Sequence, residues 1–247
     1  MITLSDEAIE NGFHAYVEHY VYARGWSIEE RLRLFALAEE AFVPPGSLNH
    51  FSEMYQGLKK WEAFPGGSRA WDAEETLRRL VELSQPIREI SLSNIRDANW
   101  LEVWKCLVAM RNIKTSETGG RFLVNIFKFA HFWNPRLFVV FDVEVMENYV
   151  FLHKWLASEL PPVARVQELC GADMRNAMRL CKYLRVLIFA SELVRATPRI
   201  RESFAATVKA HADPDVVPDR IEEYEGAAVE WLLLGLVELS PPGVRVG

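Results

Sequence analysis

Helical spacing of apolar residues runs almost unbroken along this chain, and that pattern constrains the fold more than any motif does. Ser5 followed by Asp6 and Glu7 reads as a helix start, with the helix running to about Arg24. Ser27-Ile28-Glu29-Glu30 has the form of a capping box, and "RLRLFALAEEAF" continues with helical spacing until Pro44-Pro45 stops it. Further helices are predicted over Leu48–Trp61, Asp72–Leu83, Trp100–Arg111, Arg121–Trp133, Val143–Ala157, Ala172–Ala196, Pro198–His211 and Asp219–Leu239. The β-like stretches are "REISL" and "LFVVF" alone. The spacing therefore predicts an all-α fold of about ten helices. It is read as a single domain over residues 1–247, with 1–97 and 98–247 as two lobes around a cleft if the long loop "SQPIREISLSNIRDAN" is a join.

Bulk properties narrow the class. The 247 residues are 50% hydrophobic and 25% charged, a soluble globular balance with enough chain for a sizeable core. No apolar run reaches the ~18–20 residues that a membrane span needs, so no membrane association is expected. The opening "MITLSDEAIENGFHAY" lacks a basic region ahead of an apolar one, so no secretory signal is read there. Cys106, Cys170 and Cys181 form no CxxC pair and cannot supply four ligands to a zinc or iron–sulfur site. A reduced, cytoplasmic protein is the simplest expectation. The net charge of -6 opposes a strongly basic nucleic-acid binder, but its distribution is uneven. Residues 101–136 carry 6 basic and 2 acidic groups and residues 165–209 carry 9 and 4, so two basic segments could meet phosphates if they share a face. Solvated helix faces are the plain alternative.

The middle of the chain carries the chemistry. "SETGGRFLVNIFKFAHFWNPRLFVVFDVEV", residues 116 to 145, reads as a polar hairpin, an apolar helix, an Asn-Pro break, a second apolar run and an isolated carboxylate, Asp142. The Gly119-Gly120 pair allows a sharp turn and a close approach to another molecule. A helix start follows at once, and its first N–H groups have no internal partners and can hold an anion.

These residues resemble the helix-hairpin-helix DNA glycosylase superfamily, most closely its 3-methyladenine DNA glycosylase II branch. The likeness runs over about 30 residues: Gly120-Arg121-Phe122, then Asn125 and Phe127, then "NPRLFVVF" and Asp142. The hairpin Ser116-Glu117-Thr118-Gly119-Gly120 is more polar than the apolar-Pro-Gly-apolar-Gly of that family. The resemblance implies a helix-hairpin-helix fold that binds double-stranded DNA and removes a damaged, alkylated base. It implies that Thr118, Gly119, Gly120 and Arg121 hold backbone phosphate. It also implies that Asp142 is the catalytic carboxylate. The position of the Schiff-base lysine found in strand-cutting members is Phe122 here, which implies a monofunctional enzyme. No cofactor and no metal are expected.

Asp142 suits that chemistry, because cleavage of an N-glycosidic bond builds positive charge on the sugar and a fixed carboxylate stabilises it. The start of a helix favours its ionised form, and the same position makes Asp a good N-cap. The two roles are compatible. An extruded base would be held by aromatic rings. Phe122, Trp133 and Tyr149 are the candidates, with Trp104 a further one, and each could equally be core. Arg175, Arg179 and Lys182 make one basic stripe at helical spacing. His14 and His19 are five apart, off the four-residue repeat that would stack them for a metal. Two other readings stay open: a non-enzymatic relative that binds DNA or another ligand, and a helical protein–protein interaction module.

Overall fold

Local signals explain where the helices start and stop. The Ser5 hydroxyl accepts from the Ala8 N–H at 3.2 Å and opens α1 (Asp6–Tyr16). The helix widens into a π-helical stretch over Val17–Ala23 and ends at Gly25, whose positive φ of 68° lets Trp26 N donate back to Tyr20 O. Ser27 then caps α2 (Ile28–Ala41) through the Glu30 N–H at 3.1 Å. In the computed structural model of the chain, residues 4–60, 73–95, 97–111, 126–140 and 174–239 are described.

The remaining helices are α3 (Leu48–Lys60), α4 (Ala73–Ser84), α5 (Asp97–Arg111), α6 (Ile126–Trp133), α7 (Met174–Ala196), α8 (Arg199–His211) and α9 (Glu225–Leu239). A 3₁₀ turn, Gln85–Ile87, follows α4, and two more, Pro214–Val216 and Ile221–Glu223, join α8 to α9. The chain is all-α: nine α-helices and no strand occur among the described residues. The helix expected over Val143–Ala157 lies outside them, as do the first residues of the one expected from Arg121. None of the described helices is long and apolar enough to cross a membrane.

The described residues of the two β-like stretches, 88–92 and 137–140, form no strand. A backbone bond runs from Leu92 N, at the end of the first, to Arg136 O, just before the second, at 3.1 Å. Their apolar residues are buried because both segments pack under helices: Ile90 and Leu92 on one side, Leu137, Phe138 and Val139 on the other. Apolar character here goes with burial, and no ladder forms among the described residues.

The centre of the molecule is α9. Every residue from Glu225 to Gly235 is buried, as expected of a helix apolar on all sides. Helices α1, α7 and α8 lie against it. The α1–α9 crossing is the closest. A Cβ on Gly235 would fall on the Gly12 carbonyl oxygen, and one on Gly12 would meet Leu232 Cδ1 at 2.6 Å. The Tyr16 ring stacks on Trp231 with centroids 4.5 Å apart. A second layer, α2 against α3 and α6, closes over Phe35, Phe42, Phe51 and Phe132.

Candidate functional site

The segment after α6 is buried yet neither helix nor strand, so its backbone groups need partners from elsewhere. Asn134 begins it, with 7% of its surface exposed. Its side-chain oxygen accepts from Arg136 N at 3.2 Å, and its amide nitrogen donates to the carbonyls of Ile87 and Ile90 at 3.2 and 3.4 Å. That Asx turn reverses the chain around Pro135, which has no N–H to satisfy.

The carbonyls that follow are held by different parts of the fold. Pro135 O accepts from Ala227 N at 3.1 Å, at the first turn of α9. A Cβ on Gly226 would lie 2.7 Å from that same oxygen, so glycine is what lets α9 approach this loop. Arg136 O accepts from Leu92 N. Phe138 O accepts from His131 Nδ1 at 2.8 Å, and Val139 O accepts from the Tyr183 hydroxyl at 2.8 Å. The neighbouring loop is pinned in the same way. Ser191 donates to Leu92 O at 2.7 Å, Arg195 donates to the carbonyls of Ser93 and Ile95, and Ser93 N donates to Glu225 at 2.7 Å.

Behind the segment lies a buried polar cluster. Arg31 donates to Glu230 at 2.5 Å, to the Tyr16 hydroxyl at 2.8 Å and to His131 Nε2 at 3.2 Å. Arg31, Glu230, His131 and Tyr16 are all at most 3% exposed. A carbonyl can only accept, so His131 Nδ1 carries the proton and Nε2 faces the cluster as an acceptor. Burial is the main cause that lowers the His131 pKa to about 4, Arg31 adds to it, and Glu230 opposes it. The 3.1 Å contact between His131 Nε2 and Glu230 is therefore not an ion pair at neutral pH. Arg31 bridges the two acceptors, and the cluster is one cation, one anion and a neutral ring. Burial likewise pushes the Tyr16 hydroxyl up, so it stays a neutral acceptor for Arg31.

Most of the residues chosen from sequence are not placed by this geometry. Asp142, Thr118, Gly119, Gly120, Arg121, Phe122 and Tyr149 lie outside the described residues, as do Asn125 and the side chains of Arg175, Arg179 and Lys182. Trp133 is 6% exposed. Its ring stacks on Phe138 at 5.8 Å and meets the edge of Phe42 at 6.1 Å. It also reaches the wall of a cleft of about 440 Å³ shared with Glu39, Arg88, Asn134, Arg136 and Arg220. Trp104 is buried in the core. Cys106 is buried too, its thiol pushed up to about 12, which suits packing and not nucleophilic attack. His19 lies 3.3 Å from Glu238, and no group of three or more metal-ligating side chains occurs among the described residues.

Several arginines of the basic segments are engaged by carboxylates or carbonyls of the same chain, some of them at the surface. Arg195 holds loop carbonyls, Arg199 pairs with Glu10 and Glu202, Arg201 pairs with Glu225, and Arg136 pairs with Glu223 and Glu39. Sequence reasoning passed over Arg31, Glu230 and Tyr183. The signals were present for two of them. Arg31 sits on the same helical face as Leu34, Phe35 and Ala38, and Glu230 is a lone carboxylate inside "AAVEWLLLGL". No family model, curated protein or solved structure matches the chain.

Proposed function

We infer that the chain is a monofunctional DNA glycosylase-like protein of the helix-hairpin-helix type. It acts in the cytoplasm on double-stranded DNA and excises a damaged, alkylated base. Asp142 is the central carboxylate of this reading. The bond between base and sugar breaks, the base leaves with the electron pair, and water adds to the sugar carbon and gives up a proton, which passes to the departed base or to solvent. Asp142 stabilises the positive charge that builds on the sugar and orients that water. Thr118, Gly119, Gly120 and Arg121 hold a backbone phosphate. Phe122, Tyr149 and the cleft-facing edge of Trp133 take the extruded base.

The observation that supports this reading is the pinned segment itself. A carboxylate that stabilises a transition state must be preorganised. The described stretch that precedes Asp142 in sequence, residues 134–140, has carbonyls held by α6, α7, α9 and the 85–95 loop. The internal pairing of Arg136, Arg195, Arg199 and Arg201 favours the competing reading, a helical protein–protein interaction module, because it leaves fewer cations for phosphates.

The test is incubation of the wild-type protein with methylated duplex DNA. The expected products are free methylated base and an abasic site that breaks only on alkaline treatment. A strand nicked without alkali would contradict the monofunctional assignment. Absence of any free base, from methylated, deaminated or oxidised duplex alike, would overturn the enzymatic reading.

A further inference from the structure

We propose that the cleft of about 440 Å³ between α2, the 84–89 turn and the Asn134–Arg136 turn binds a small aromatic carboxylate, with Arg136 and Arg88 gripping the carboxylate group. The inference does not rest on the glycosylase reading: every residue it uses is described, and it needs no DNA. The size suits a ligand of one or two rings, since small-molecule sites run from ~300 to ~1,000 Å³.

The fold leaves donors open in this cleft and engages most of its acceptors. The Arg136 side chain is only 22% exposed. Its guanidinium lies 3.3 Å from Glu223 and 3.9 Å from Glu39, ion-pair contacts that add no hydrogen bond among the described residues. Its charge is held in place while its planar fork of N–H groups stays open to a ligand. The exposed Arg88 side chain has neither an ion-pair nor a hydrogen-bond partner among the described residues. The acceptors differ. Glu39 accepts from the Tyr224 hydroxyl at 3.0 Å, Glu40 lies 2.9 Å from His50 Nε2, and the Asn134 amide is spent on Arg136 N and on the carbonyls of Ile87 and Ile90.

Charge and shape then select the ligand. Arg88, Arg136 and Arg220 line the cleft, and so do Glu39, Glu40 and Glu89. A dianion such as a phosphate monoester meets those carboxylates at twice the charge. A carboxylate carries one charge, and its two oxygens match the guanidinium fork. The apolar part of the wall comes from Ala38, Phe42 and Trp133, all buried, with the Trp133 ring fixed by its stack on Phe138. A flat ring on the ligand covers that wall.

The test is calorimetric titration of the full chain, without DNA, with naphthoate, with naphthol as the same ring lacking the charge, and with naphthyl phosphate as the dianion. Wild type, Arg136→Gln and Arg88→Gln are compared, with thermal melts alongside and Trp133 left unsubstituted. Naphthoate should bind the wild type with a Kd of about 0.1 to 1 mM, the range open to a ligand of this size, and more tightly than either analogue. Arg136→Gln should weaken it about tenfold or more and Arg88→Gln about threefold, the effects of losing hydrogen bonds to a charged group. If Arg136→Gln does not fold, Arg136→Lys replaces it; this variant keeps the charge, loses the fork and should bind naphthoate about threefold more weakly. Equal affinity for naphthoate and naphthol, tighter binding of naphthyl phosphate, or an unchanged affinity in the folded Arg136 variant each overturns the inference. No saturable binding of naphthoate overturns it too, and leaves the glycosylase reading as it stands.

Discussion

His131 has no exposed surface, and its protonation would add a charge to a cluster that is already balanced. Its pKa is about 4 in the fold, against an ordinary value of 6.5. The folded form therefore binds fewer protons than the unfolded chain between these values. The associated stability is complete above pH ~6.5 and is lost as the pH falls toward ~4, about 3 kcal/mol in all. Urea titrations at pH 7 and pH 4.5 should show this loss, and His131→Asn should flatten it; a wild-type stability that does not change over this range would contradict the neutral-histidine assignment. The Arg31–Glu230 pair gives a second residue-scale expectation. Removing one partner strands a buried charge, so Glu230→Gln should destabilise by about 3 kcal/mol or more. A loss under ~1 kcal/mol would mean that water reaches Arg31. Arg33, two residues on, pairs with Glu53 while largely exposed, so its replacement should have little effect.

At the scale of elements, the α1–α9 crossing depends on two glycines that do not carry equal weight. A Cβ at Gly235 meets backbone, the Gly12 carbonyl, and backbone cannot step aside. A Cβ at Gly12 meets the end of the Leu232 side chain, which can rotate. Gly235→Ala should therefore cost about 3 kcal/mol and Gly12→Ala about 1 kcal/mol. Denaturant midpoints of the two variants check the order, and a reversed order would mean that the helices cross elsewhere. Helix boundaries were legible in the sequence wherever the signal is local. Ser5 and Ser27 cap the helices they were expected to cap. The helix expected from Trp100 starts at Asp97, and the one expected from Asp219 starts at Glu225 after a 3₁₀ turn. What the sequence hid is the pinning of the two buried loops. Ser191 reaches Leu92, Tyr183 reaches Val139 and Glu225 reaches Ser93, and such long-range bonds leave no periodic trace. "REISL" and "LFVVF" read as β-like, yet their described residues form no strand, and the apolar spacing says nothing of how the carbonyls are satisfied.

Across the whole molecule the net charge is -6, and several arginines of the basic segments are paired with groups of the same chain. DNA binding through a few backbone amides and a short basic stripe should release few counterions. The slope of log affinity against log salt should be shallow, on the order of two to four contacts at ~0.9 each. No binding at low salt would favour the interaction-module reading. The helical class was legible because periodicity repeats many times along the chain. The candidate site is carried by sequence alone: Asp142 and the hairpin lie outside the described residues, and the structure describes the anchored segment that precedes Asp142. Asp142 decides between the readings because a cap and a catalyst differ in one property, charge. Asn caps a helix about as well as Asp, so Asp142→Asn should change stability by well under ~1 kcal/mol. It removes the charge that the transition state needs, worth ~3–4 kcal/mol in a preorganised site. Base release from methylated duplex DNA by wild type and Asp142→Asn, with thermal melts of both, should show equal melting and a 100- to 1,000-fold slower variant, about the effect of losing one such electrostatic contact. Equal rates in the two proteins would contradict the assignment of Asp142 as the catalytic carboxylate.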